Sequence, residues 1–133
     1  MKARTYSSFG RATPSAPSVM SAADATDLLK SGLASDGSLL GYGNGRSYGD
    51  SCQNLTGRII DMRSLKSLRA FDPETGLLEA DAGMLLSDAI GFSAPFGYFP
   101  AVVPGTQFVT LGGAIANDVH GKNHHRRGTF GCH

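Results

Sequence analysis

Four of the ten residues in "GYGNGRSYGD", positions 41–50, are glycine, and no other stretch restricts the fold as strongly. Glycine enters backbone conformations closed to other residues and lets amide N–H groups turn toward an anion. The stretch therefore reads as a loop. Asn44, Arg46, Ser47, Tyr48 and Asp50 supply hydrogen-bonding side chains between and after the glycines. The apolar run "SLLGYG" (38–43) leads into it. A strand followed by such a loop is the arrangement of a phosphate cradle, and an ordinary glycine-rich turn is the competing reading. Neither common phosphate signature is met: "GYGNGR" lacks the third glycine of the dinucleotide fingerprint, and "GNGRSYGD" lacks the P-loop lysine.

A second stretch, "PGTQFVTLGGAIANDVHGKNHHRRGTFG" (104–131), repeats the pattern with Gly105, Gly112, Gly113 and Gly121 beside Thr106, Thr110, Asn117 and His120. The chain has 18 glycines in 133 residues, close to double the usual ~7%, and they concentrate in these two stretches. Two loops of this kind in one small domain could hold both halves of a diphosphate.

The string "HGKNHHRRGTFG" (120–131) carries three of the four histidines and three basic side chains. His120, His124, His125, Cys132 and His133 could in principle ligate zinc. The two-histidine helix motif needs a regular helix, however, and Gly121 and Asn123 interrupt one, so no metal is assigned. Lys122, Arg126 and Arg127 with Phe130 form a short basic patch, whereas nucleic-acid surfaces show a wider basic excess. Twelve Lys plus Arg against eleven Asp plus Glu leave a formal net charge of +1, so no global field draws the chain to nucleic acid or anionic lipid.

The length suits one domain or a piece of one. Cys52 and Cys132, 80 positions apart, fit reduced thiols, with Cys52 packing as a small apolar group. "MKARTYSSFGRATPSAPSVM" has no apolar run of signal-peptide length, and nowhere are about eighteen apolar residues consecutive. These features predict a cytoplasmic chain with no transmembrane segment.

Residues 1–20 are expected to be extended, notably "GRATPSAPSV" (10–19). A helix over 21–37 opens on a capping pattern, Ser21 with Asp24, and places Ala25, Leu28, Leu29 and Leu33 on one face. "SLLGYG" (38–43), "GRIIDM" (57–62) and "GLLEADAG" (76–83) read as strands, with "DPETG" (72–76) as a turn. "MLLSDAIGFSA" (84–94) reads as a helix ending before Pro95. "FVTLGGAIANDVHG" (108–121) starts extended and becomes a small-residue helix behind Gly112 and Gly113.

"GNGRSYGDS" and "VVPGTQFVTLGGAIANDVHGKNHHRRGTFGCH" resemble the two flavin-binding loops of FAD-linked oxidoreductases of the vanillyl-alcohol-oxidase type, the PCMH-type FAD-binding superfamily. Within it the chain is most similar to the oxidase subunits of the decaprenylphosphoryl-ribose 2'-epimerases. "FGRATPSAPSV" resembles that group's opening segment and "DAGMLLSDAIGFSAPFGYFPAVVPGT" its strand, helix and approach to the second loop.

The resemblance implies an α+β fold, the N-terminal portion of a flavin domain with a small mixed sheet and flanking helices. It ends at His133, so residues 1–133 would be a truncated domain without the substrate cap. By the same resemblance Gly41, Tyr42, Gly43, Asn44, Gly45, Arg46, Ser47, Tyr48, Gly49, Asp50 and Ser51 wrap the FAD diphosphate. Gly105, Thr110, Leu111, Gly112, Gly113, Asn117 and His120 complete the pocket. Tyr48 and Lys122 would face the substrate side of the flavin, with His120 beside it, giving Tyr48, Lys122 and His120 as catalytic candidates. Arg46 stands where many members carry a histidine bonded to the flavin, and no cysteine precedes "TLGG", so the FAD is expected to be non-covalent.

The implied activity is oxidation of a secondary alcohol on a sugar or lipid-linked sugar by hydride transfer to flavin N5, in cell-wall biosynthesis, with a reductase partner subunit. The alternatives are an alditol or sugar-lactone oxidase, a non-catalytic flavin-binding fragment, and a zinc or nucleic-acid module.

Overall fold

A computed structural model describes residues 6–11, 17–31 and 38–133. The chain divides into two compact units, Met1–Ser64 and Leu65–His133. Both helix and strand occur, as an α+β chain requires.

In the first unit three short strands, β1 (Ser18–Ser21), β2 (Leu39–Tyr42) and β3 (Arg58–Asp61), form a parallel sheet in the order β1-β3-β2. Val19 and Leu40 both pair with Ile59 of the central strand. Ile59 is fully buried and forms the core with Tyr6 and Tyr42, and half-buried Cys52 packs on that cluster. Removal from water raises the Cys52 thiol pKa, which keeps it protonated and apolar.

Parallel strands need crossovers, and between β1 and β2 lies helix α1 (Ala22–Lys30). Ser21 caps it as expected: its Oγ accepts the Asp24 N–H at 3.1 Å and donates to Asp24 Oδ2 at 2.7 Å. The buried stripe differs from the expected face. Ala22 and Ala25 are buried and Leu28 half-buried, whereas Leu29 is 63% exposed. Residues 22, 25 and 28 recur at i+3, which turns Leu29 outward. The helix ends at Lys30 with Ser31 as its C-cap, short of the expected stop; Leu33 lies outside the described residues, as do residues 1–5 and 12–16 of the N-terminal segment expected to be extended.

In the second unit β4 (Leu68–Phe71) and β5 (Leu78–Ala80) form an antiparallel hairpin. Strand β4 has no counterpart among the sequence expectations, while the "DPETG" turn does. Asp72 carboxylate oxygens accept the Glu74 N–H and the Thr75 hydroxyl, and Gly76 turns with φ +76° beneath the Tyr98 ring. Helix α2 (Leu86–Ser93) runs into a 3-10 turn, Ala94–Phe96, that carries Pro95. It begins two residues later than expected because Leu85 is extended and bridges Thr110. Helices α3 (Leu111–Ala116) and α4 (His124–Arg127) and a 3-10 turn at Phe130–Cys132 complete the unit. Leu86, Met84, Ala89, Val102 and Ala114 are buried here.

Candidate functional site

The first loop leaves β2 at Tyr42, and residues far upstream in sequence fasten it. Tyr42 Oη donates to the Ser7 carbonyl at 2.7 Å and accepts the Ser7 N–H at 3.3 Å. Burial raises the Tyr42 pKa, so the phenol stays a donor. Gly45 follows with φ +61°, where a Cβ would overlap Ser7 O and Tyr42 Oη. Only glycine satisfies both demands. Phe9 N–H donates to Ser47 O at 3.0 Å.

Beneath the loop a polar group ends β3. Arg63 Nε and Nη2 donate to the two Asp61 carboxylate oxygens at 2.8 and 2.6 Å, and Tyr6 Oη donates to Asp61 Oδ2 at 3.0 Å. The Arg63 bonds foremost lower the Asp61 pKa to about 2. The guanidinium carbon lies 5.3 Å from the ring centres of both Tyr6 and Tyr42, within cation–π range. Buried Asn54 closes the other end of the loop, its amide donating to Ser38 O and Arg58 O and accepting from Gly57 N–H.

Within the loop, three carbonyls accept hydrogen bonds. Ser47 O accepts from Phe9, Tyr48 O from Ser51 Oγ, and Asp50 O from Gln53 N–H. The amides of Ser47, Tyr48 and Gly49 donate to no acceptor among the described residues. Gly49, also at φ +61°, turns the chain in open space. Gly41 belongs to β2, Tyr42 is buried, Gly43 and Asn44 are half-buried, and Arg46, Tyr48, Asp50 and Ser51 are exposed. Asn44, Gly45 and Arg46 share a cleft of about 260 Å³ with Ser7, Ser8, Phe9 and Arg11.

In the second loop the glycines meet different demands. Leu111 N–H donates to Met84 O and Gly112 N–H to Ala82 O, each at 2.8 Å, and Gly113 N–H donates to Thr110 Oγ1 at 3.2 Å, the N-cap of α3. These three amides are committed inside the chain. A Cβ on Gly112 would sit 2.9 Å from the Ala82 Cβ, so this glycine allows close packing. Asn117 closes α3, its Nδ2 donating to Gly113 O at 2.9 Å. Gly105 is exposed and Gly121 buried against Val103.

Beyond α3 the chain doubles back. Asp118 takes φ +42° and its Oδ1 accepts the Gly131 N–H, Val119 O accepts the Phe130 N–H, and His120 bridges Thr129. Lys122 lies in the turn so formed. His120 is extended while His124 begins α4, their rings 5.2 Å apart. Among the described residues no three potential ligands gather into a metal site.

Tyr48 thus belongs to the first unit, and His120 and Lys122 to the second. The sequence reading missed Ser7, the Asp61–Arg63 pair and Asn54. Only the family-like opening segment pointed near Ser7.

A family described as an FAD binding domain matches residues 18–132. Decaprenylphosphoryl-beta-D-ribose oxidase of Mycolicibacterium smegmatis is 41% identical over 129 residues, covering 94% of this chain and 28% of that protein. The D-2-hydroxyglutarate–pyruvate transhydrogenase of Saccharomyces cerevisiae is 29% identical over 73 residues, 54% of this chain and 15% of that protein. Among solved structures, cholesterol oxidase from B. sterolicum has a TM-score of 0.69 at 17% identity, covering 88% of this chain and 24% of that chain. That likeness shows the fold. The chain spans little more than a quarter of the length of the mycobacterial relative and less of the yeast one. No helix among the described residues is long and apolar enough to cross a membrane.

Proposed function

Given that the chain belongs to the FAD-binding domain family, within the vanillyl-alcohol-oxidase (PCMH-type) superfamily, we propose that it is the FAD-holding part of an oxidoreductase that acts on a sugar secondary alcohol. The carrying observation is the contrast between the two glycine-rich loops. In the first, the carbonyls of Ser47, Tyr48 and Asp50 accept hydrogen bonds, and the amides of Ser47, Tyr48 and Gly49 have no acceptor among the described residues. Such a donor set suits the oxygens of a diphosphate.

In this reading the residues from Gly41 to Ser51 hold the diphosphate. The second loop contributes shape through Gly112 and Gly113, with Gly105, Thr110, Leu111, Asn117 and His120 lining the cofactor. Arg46, where others carry a flavin-linked histidine, makes the attachment non-covalent. Tyr48 and Lys122 are read as facing the substrate side, where the phenol and the ammonium orient a sugar hydroxyl, and His120 as lying beside the flavin. Bound FAD supplies the acceptor for the hydride that leaves the carbinol carbon, the hydroxyl proton passing to solvent as the alcohol becomes a ketone. The substrate is a lipid-linked phosphosugar like that named for the mycobacterial relative, and a reductase partner takes the ketone onward. The relative's greater length favours a second reading, a flavin holder that requires further protein for turnover.

The test is anaerobic mixing of the FAD-loaded chain with decaprenylphosphoryl-β-D-ribose and, separately, with an alditol. Bleaching of the flavin by the phosphosugar alone supports the proposal. Retained flavin that no sugar reduces supports the second reading.

A further inference from the structure

The segment Tyr6–Arg11 belongs to no helix or named strand, yet it touches the first loop at three successive points. Tyr42 Oη holds both backbone polar groups of Ser7. Phe9 N–H donates to Ser47 O. The Phe9 ring meets the Tyr48 ring edge-on, centroids 5.7 Å apart and planes at 84°.

The third contact is the unusual one. Phe9 is 56% exposed and Tyr48 81% exposed, so burial does not hold either ring. Among the described residues the only ring packed on Tyr48 is that of Phe9. Phe9 is itself fixed from behind, through its own amide and through Ser7 two residues earlier. It also lines the cleft shared with Arg11, Asn44 and Arg46. A side chain held in one orientation before its ligand arrives loses less freedom on binding.

We propose that Phe9 is a positioning residue: the strap Tyr6–Arg11 sets the orientation of Tyr48 and so preorganises the first loop. The role is that of a conformational support, and it rests on the flavin reading only where flavin affinity is the readout.

The test compares the wild-type chain with Phe9→Ala and Phe9→Trp. Backbone 15N relaxation of the flavin-free chain reads the loop directly. In Phe9→Ala the order parameters at Ser47–Gly49 fall from near ~0.85 to below ~0.6, while the melting temperature falls by only a few degrees, because Phe9 is 56% exposed and lies outside the buried core. FAD binding by the same variant weakens about three- to tenfold, the range of an aromatic pair. Phe9→Trp restores both readings. Wild-type order parameters in Phe9→Ala overturn the proposal, and so does a lowered melting temperature with an unchanged loop. If the wild-type chain binds no FAD, the flavin reading fails separately and the relaxation data still decide the role of Phe9.

Discussion

Tyr42 and Ser7, 35 residues apart, are joined by a double hydrogen bond in which one phenol satisfies both the carbonyl and the amide of a single residue. An unpaired backbone group away from water costs about as much as a lost hydrogen bond, so the phenol fixes where the N-terminal segment crosses the first loop. Burial of Tyr42 and its contact with Arg63 fix the phenol in turn. The order of the loop thus rests on a short chain of contacts from Asp61 through Arg63 and Tyr42 to Ser7.

Gly45→Ala is expected to break that crossing. The new methyl overlaps Ser7 O and Tyr42 Oη at a backbone φ of +61°, and such strain costs on the order of 1–3 kcal/mol. Urea unfolding reads the loss. Gly49→Ala has the same φ but open space around it, and is expected to lose only the left-handed backbone cost, about 1–2 kcal/mol, with no steric overlap added. Equal losses at the two positions would contradict a steric role for Gly45.

Acid should release the Asp61 group. Its folded pKa of about 2 lies below the ordinary 3.8, so the stabilisation is complete above pH 4 and disappears as the pH falls from about 4 to about 2. Linkage with allowance for solvent screening around half-buried Arg63 puts it at about 1–2 kcal/mol. Asp61→Asn is expected to flatten that part of the stability profile in denaturation measured across pH. A profile in the variant as steep as in the wild type would assign the acid sensitivity elsewhere.

Two glycines of the second unit should respond in opposite directions. At Gly112 a methyl would press on Ala82 and disturb the bond from the Gly112 amide to Ala82 O, and overpacking of this kind costs about 1–3 kcal/mol. Gly91 lies inside α2 with nothing within 4 Å of an added Cβ. Gly91→Ala is expected to stabilise by about 0.5–1 kcal/mol. Thermal melts of the two variants check both signs.

Local signals in the sequence placed most elements. The Ser21–Asp24 cap, the apolar runs of β2 and β3, the Asp72–Gly76 turn and the small-residue helix after Thr110 all announce themselves within a few residues. Strand β4 did not, because Arg69 and Ala70 are exposed and only Leu68 and Phe71 carry an apolar signal. The first glycine-rich stretch was legible as a loop after a strand, whereas Gly112 and Gly113 of the second lie inside α3. What each glycine does was not: Gly45 answers to Ser7 and Gly112 to Ala82, and contacts across 38 and 30 positions leave no local trace. The same distance hid the clamp between Ser7 and Tyr42 and the aromatic contact between Phe9 and Tyr48.

The central claim is that this chain holds FAD without a covalent bond, and the most direct test is the visible spectrum of the purified chain after FAD is added and the excess removed. A flavin band shifted from that of free FAD, with all colour released to the supernatant by acid precipitation, is the predicted result. A folded, soluble chain that retains no flavin, or a precipitate that stays yellow, would contradict it.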